Sequence, residues 1–471
     1  MKSSLLILFI LSYMCVVSCE KLVEVAPPVT STNGENVFEY TSTTISAVTG
    51  LYAAMSSATF SAVGDIRTIN VYAGLYTDEL SLFPSPNVNR IYQDFFTNSL
   101  SAQKGGNGGQ YWNLMYARIY RCNALLVGIN NSINIPDGIK KQLIGEVLFV
   151  RSLCYYYLLN FYGNIPWIDG IDYTINSHVK RNNSTEILKY LVADLTKAKD
   201  SLSLNYLDAS LLKTVNNARF RPTSYAASAL LIKVLLLQED WINAELEANR
   251  VISNSQVFSL DSLNAVFLTT SKEAIWQLQV TSSNGATEEG NKFILPTTGA
   301  SESAPLFLNP RLVAAFEKND RRKQAWIGTA RSYNYAFKYK VANSVGSPSE
   351  ALVVFRLSEV YLNRSEARAR QGKIDLSLND LNQVRSRAWL GKVMGVAQDK
   401  LIDTILHERQ VELFTEFGNR FIDLKRFNKI DLIMPSVSID KGTTWQPYFS
   451  FFPLAQSEVQ ANPNIEQTPG Y

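Results

Sequence analysis

The chain is 471 residues long, 46% of them hydrophobic, with 45 Lys+Arg against 42 Asp+Glu and a formal charge of +3. That length and hydrophobic content suffice for a large core, and the composition argues against a disordered chain. Basic residues are scattered among acids and form no blocks, so there is no long-range field to hold nucleic acid or an anionic membrane surface, which argues against a nucleic-acid role.

The chain opens with Met1-Lys2-Ser3-Ser4, runs through apolar residues from Leu5 to Val17, and reaches Ser18-Cys19. One positive charge and a run too short to span a bilayer read as a secretion signal, residues 1–18. A small residue before Cys at the end of such a run is similar to the lipobox of bacterial lipoproteins. That resemblance implies cleavage before Cys19 and a lipid anchor on it; an ordinary signal with an incidental Cys19 is the alternative. Residues 19–36 are rich in Pro, Ser, Thr and Asn, with Pro27-Pro28 among them, and read as a solvated tether. The body is then 37–471. With Cys15 in the signal and Cys19 acylated, Cys122 and Cys154 remain, each in an apolar helix-like run, and both read as core thiols rather than a disulfide or metal pair.

Apolar residues at helical spacing follow in chain order. Helices are expected over about 110–129 and 139–161, packed as a pair. Asn183 and Glu186 have capping-box spacing ahead of a single stripe from Ile187 to Leu202. Pro222 precedes a helix from about Thr223 to Leu236, and a partner runs from Trp241 past Ala248. Val353, Val354, Leu357, Val360 and Tyr361 are placed on one helix face that ends at Gly372; Leu378, Leu381, Arg385 and Ala388 continue on the next. Helix pairs of this size resemble degenerate tetratricopeptide units, whose repeat is about 34 residues. Between them lie five long segments expected to be irregular, about 64–109, 162–181, 280–310, 328–349 and 433–471, with a strand-like piece over 274–280. Loops of that length usually serve a function. The fold class is mostly α: helix hairpins forming a scaffold, with a ring-rich irregular face and minor β structure.

Catalytic patterns are sparse. His178 and His407 are the only histidines, so no His-based metal site is assigned. There is no G-x-S-x-G elbow, P-loop or dinucleotide fingerprint, and Gly105-Gly106-Asn107-Gly108-Gly109 reads as a loop. No catalytic residue, metal or cofactor is expected.

Near the C-terminus, Ile405-Leu406-His407-Glu408-Arg409-Gln410-Val411-Glu412-Leu413 is followed by Glu416, Gly418, Arg420, Phe421, Asp423, Leu424 and Arg426. The chain closes on Phe452-Pro453-Leu454-Ala455, Asn462-Pro463-Asn464 and Gln467-Thr468-Pro469-Gly470-Tyr471. With Trp112, Tyr116, Ile119 and Asn123, the Phe161-Tyr162-Gly163-Asn164-Ile165-Pro166 turn, Asp320-Arg321 and Arg356 to Leu362, these stand in the order and spacing of the SusD/RagB family, which the chain resembles over nearly its whole length. Its one visible departure is Thr468, where Asn is usual. The resemblance implies a SusD-like body, with an N-terminal part over about 37–260 and a C-terminal part over about 270–471. It also implies an outer-membrane surface lipoprotein that captures glycan without cutting it and passes it to a SusC-like, TonB-dependent transporter. The mixed charges from Glu408 to Arg426 read as an ion-pair network in the scaffold.

Sugar rings offer apolar C–H faces and hydroxyls, so a glycan site needs exposed flat rings flanked by amides, carboxylates or Arg. Candidates are Tyr72, Tyr76, Asp78, Phe83, Asn89, Arg90 and Tyr92 in one loop region, and Asn284, Asn291 and Phe293 in another. Two other readings stay open. A surface glycoside hydrolase needs only two suitably spaced carboxylates, and a SusD-like binder could take peptides.

Overall fold

The computed structural model describes residues 36–61, 63–103, 107–215, 218–282, 284–344 and 346–471. The segment read as a secretion signal, Cys19, nearly all of the segment read as a tether, Gly105 and Gly106 lie outside them. In chain order the elements are α1 (Thr41–Ser57), α2 (Ile69–Tyr76), β1 (Leu80–Leu82), α3 (Arg90–Phe96), α4 (Gln110–Asn131), α5 (Asp137–Tyr162), α6 (Tyr173–Asn176), α7 (Ser184–Ser201), α8 (Ser224–Leu237), α9 (Trp241–Ile252), β2 (Ala274–Leu278), α10 (Glu288–Phe293), β3 (Leu306–Leu308), α11 (Pro310–Ala315), α12 (Arg321–Trp326), β4 (Ile327–Ala330), β5 (Tyr333–Ala336), β6 (Leu352–Arg356), α13 (Leu357–Arg370), α14 (Ile374–Arg387), α15 (Gln398–Leu413), α16 (Asn419–Arg426), α17 (Ile430–Asp440) and α18 (Gln456–Ala461). The fold is mostly α, and none of the described helices is long and apolar enough to cross a membrane.

The scaffold is a chain of packed helices. α4 lies on α5, α5 on α7, α7 on α8, α8 on α9, α9 on α13, and α13 on both α14 and α15. All three expected hairpins, α4–α5, α8–α9 and α13–α14, are present. α5 is its spine: from Val147 to Tyr162 every residue is buried, as an apolar-all-round helix must be. Cys122 and Cys154 are buried free thiols in this core. At α7 the anticipated capping box forms, Asn183 accepting from the Glu186 N–H and Glu186 from the Asn183 N–H.

Three two-stranded sheets lie outside the scaffold: β1 with β3, β2 with β6, and β4 with β5. Two expectations need correction here. Val353 and Val354 are not on a helix; they sit in β6, which pairs antiparallel with β2. A short β-branched run suits either state locally, and the partner strand decides it. The segments expected to be irregular also hold elements. Residues 64–109 contain α2, β1 and α3, and all eight residues of α2 are buried. The last segment, 433–471, carries most of α17 and all of α18.

The signature region forms a buried ion-pair network, as expected. Arg356 pairs with Glu273 at 2.9 Å, Glu412 at 2.5 Å and Glu416 at 2.7 Å. Arg322 reaches Asp320, Glu408 and Glu412. Arg409 and Arg426 share Asp423, and Arg420 pairs with Asp78 at 2.7 Å. Burial alone would push the Glu412 carboxyl up, but the Arg387, Arg356 and Arg322 charges outweigh it and hold it well below the carboxylate range.

The chain end closes the body. Phe452 donates its N–H to the Phe161 carbonyl at 2.7 Å, and its ring stacks on Phe161 at 4.9 Å and Phe421 at 5.7 Å. Thr468 donates to the Phe452 carbonyl at 2.8 Å, so the residue that departs from the family pattern still ties the tail down.

Candidate ligand-binding face

Most rings singled out for ligand contact are core residues. Tyr72 and Tyr76 have no exposed surface, Tyr92 and Phe293 almost none. The Tyr72 and Tyr92 hydroxyls both donate to the Phe60 carbonyl, at 2.8 and 2.9 Å, and Tyr76 donates to the Phe449 carbonyl at 3.0 Å. Phe293 packs on Phe60 at 5.4 Å. Asp78 is buried beneath Arg420, which holds its carboxyl low against the opposing effect of burial. None of these five presents a surface to a ligand. The reason is local: helix formation in α2 and α3 turns Tyr72, Tyr76 and Tyr92 inward, which a reading of the region as loop does not anticipate.

The remaining candidates are at the surface, in three places. Asn89 and Arg90 are exposed, but Asn89 caps α3 through the Ile91 N–H and Arg90 pairs with Asp94. Asn284 is half-buried and Asn291 exposed; the Asn284 carbonyl accepts from the Ser344 N–H at 2.8 Å. Phe83, by contrast, is half-buried among other rings.

Those rings form the structure's candidate face. β1 pairs with β3 in the register Leu80↔Leu308, and the Phe83 N–H continues the ladder to the Pro305 carbonyl at 2.8 Å. β4 and β5 form a hairpin in the register Ala330↔Tyr333, with Arg331 in the left-handed region at φ 54°, and β5 lies against β3. This brings Tyr333 to 6.4 Å from Phe83 and 5.0 Å from Phe307, the latter in the edge-to-face geometry that aromatic pairs favour. Tyr335 lies across Gly328, its partner in the hairpin register, where a Cβ would collide with its ring. Phe83, Phe307, Tyr333 and Tyr335 are all half-buried.

Polar groups flank the rings. Glu302 accepts from Ser85 at 2.5 Å and Asn87 at 2.9 Å. Those hydrogen bonds, Ser85 first, hold its carboxyl below the usual range against slight desolvation, leaving it ionised. A depression of about 230 Å³ adjoins Phe307, with Lys323, Ser332 and Asn334 on its walls. The face is shallow, apolar on its floor and polar on its rim. Tyr333, Tyr335 and Phe307 lie in segments read as irregular, and their clustering depends on a β3–β5 contact that no local pattern encodes.

Comparison with known proteins bears on the family and the fold. Residues 314–471 match the model described as the SusD family, and residues 31–236 match a model described as starch-binding associating with outer membrane. The two stretches do not overlap, and together they span most of the chain. The chain belongs to the SusD family. This SusD-family chain is 23% identical to SusD-like protein P25 of Formosa agariphila over 534 aligned positions, covering 98% of each. It is 33% identical to the starch-binding protein SusD of Bacteroides thetaiotaomicron over 144 positions, 29% of this chain and 25% of that protein. In fold it is similar to a SusD superfamily protein from Bacteroides vulgatus, at TM-score 0.77 and 17% identity, covering 92% of this chain and all of that one. It is also similar to surface glycan-binding protein A from Bacteroides fluxus, at TM-score 0.74 and 20% identity, covering 91% and 99%.

Proposed function

We propose that this SusD-family chain is a lipid-anchored protein of the outer-membrane surface that binds oligo- or polysaccharide at the Phe83–Phe307–Tyr333 face without cleaving it, and delivers it to a SusC-like, TonB-dependent transporter. The observation that carries the reading is the half-buried ring cluster with ionised and amide groups at its rim. Such a surface offers CH–π contact to a pyranose face, while Glu302, Asn87 and Asn334 offer partners for hydroxyls. An ionised Glu302 accepts hydrogen bonds from sugar hydroxyls. The lipobox-like Cys19 supports anchoring. The relatives' names, a starch-binding protein and a surface glycan-binding protein, support the ligand class.

The test is affinity electrophoresis of the purified protein through a panel of polysaccharides, with Phe83→Ala and Tyr333→Ala beside it. At least one polysaccharide is expected to retard the parent, and each variant to weaken that retention about tenfold, as loss of a buried aromatic contact does. No retardation on any gel, or new reducing ends released from a glycan, overturns the reading. Transport delivery predicts co-purification of a large barrel from detergent-solubilised membranes.

A further inference from the structure

A cleft of about 880 Å³ lies away from the ring face. It opens between the C-terminal end of α5, the start of α7, α16 and the closing segment of the chain. Its walls are mostly apolar, with Tyr448 and Phe451 on one side and Leu188 and Leu237 on another.

Four cations reach it: Lys180, Arg181, Lys425 and Arg426. Arg426 is neutralised by Glu366 and Asp423. Lys180 is exposed, as is Glu466, the one carboxylate among the lining residues, and the Glu466 charge acts on Arg181 without closing an ion pair with it. Arg181 and Lys425 are different. Arg181 donates to the carbonyls of Asn164 at 2.6 Å, Glu466 at 2.9 Å and Tyr162 at 2.7 Å. Lys425 donates to the Asn160 carbonyl at 2.5 Å and lies 3.8 Å from the Phe451 ring centroid. Neither forms an ion pair with any described carboxylate.

Carbonyls at the end of a helix do attract cations, and capping α5 is a structural role for both side chains. It is an incomplete one. A helix terminus carries about half an elementary charge, and Glu466 is one carboxylate set against the three basic side chains Lys180, Arg181 and Lys425. Half-buried positive charge without a counter-ion is costly, and burial pushes the Lys425 amine down to about 7. An entering anion would relieve that imbalance, and the adjoining rings would cover an apolar body attached to it.

We propose that this cleft is a second binding site, which takes a pyranose bearing an oxyanion, the anionic group lying between Arg181 and Lys425 and the sugar ring against Tyr448 and Phe451. Carboxylate and sulfate share that chemistry, so a uronate and a sulfated hexose are its two sources. The choice of a sugar over other ring-bearing anions rests on the glycan-binding reading; the site itself stands apart from the Phe83 face.

Isothermal titration of the full chain with glucuronate, glucose 6-sulfate, glucose and acetate tests this. At least one anionic sugar is expected to bind about tenfold tighter than both glucose and acetate, and the tighter of the two identifies the source. Lys425→Met and Arg181→Gln are expected to remove that preference, and Phe83→Ala to leave it intact. Because a change at Lys425 could disturb the core, Tyr448→Ala on the exposed rim serves as the second variant; it is expected to weaken the anionic sugar with an unchanged melting temperature. Equal binding of glucose or of acetate, or indifference to all three cleft variants, overturns the proposal. If polysaccharide gels retard the protein while neither anionic sugar binds, this inference fails alone; if no gel retards it while glucuronate binds at the cleft, the Phe83 face fails alone.

Discussion

Two side chains separate what a residue's identity announces from what its surroundings decide. Glu412 is one. It stands in a motif whose mixed charges already suggested ion pairing, and the structure sets it against Arg322, Arg356 and Arg387 with no exposed surface. Removing one partner of such a network strands the others, so Glu412→Ala is expected to destabilise the body by about 3–5 kcal/mol in urea unfolding. Glu79 is the other, and nothing in its local sequence marks it. Burial first, then the neighbouring Asp78 charge, pushes its carboxyl up to about 8 against the opposing pull of Arg420 and Lys338. The folded chain therefore holds that proton up to about pH 8, while the unfolded chain releases it near its ordinary value of 4.5. This contribution is fully present below the unfolded value, falls as pH rises toward 8 and is flat beyond. Glu79→Gln is expected to gain stability relative to the parent at pH 8 compared with pH 5, read from denaturant midpoints at both. The rings at 72, 76 and 92 belong to the same lesson. Identity announced aromatic surface, and only their place on helices turned inward removes them from it.

At the scale of elements, legibility tracked length and capping. α5, α7 and α8 were readable because each carries many turns of periodic apolar residues or an explicit cap. Asn183→Ala removes half of the α7 capping box and is expected to cost about 1 kcal/mol, checked by thermal unfolding. α2 and α3, of eight and seven residues, carry too few turns to show a period against the Gly and Pro around them. β6 and β3 are defined by partners far along the chain, and the ring face that β3 helps support was for that reason not visible as a face. Close approach between elements was not legible at Gly418, which entered the sequence reading only as a motif residue. Gly418 caps α16 at φ +66°, and a Cβ there would stand 2.8 Å from Ile69 and 2.9 Å from Ala73 of α2. Gly418→Ala combines left-handed strain with overpacking, for an expected loss of about 2–4 kcal/mol.

Across the whole molecule, the helical stack supplies rigidity while both candidate sites sit on what it displays, one on paired short strands and one at the seam of the chain end. The family was legible because its motifs recur in order from the first helices to the last turn. The ligand surface was not, because surface aromatics and core aromatics share one composition and are told apart only by packing. The expected anchor makes its own prediction: Cys19→Ser should move the protein from the membrane pellet to the soluble fraction on cell lysis, while the parent stays with the pellet.

The seam has a temporal side. Arg181 is tied to Glu466 across 285 positions, and Asn462 and Asn464 hold the carbonyls of Val179 and His178 over similar spans. Contacts between partners so far apart in sequence form after those of the helical hairpins, whose partners are near neighbours, so these ties are among the last to form. A nascent or truncated chain lacking only its final ten residues would thus carry a nearly finished scaffold with its basic groove unsealed.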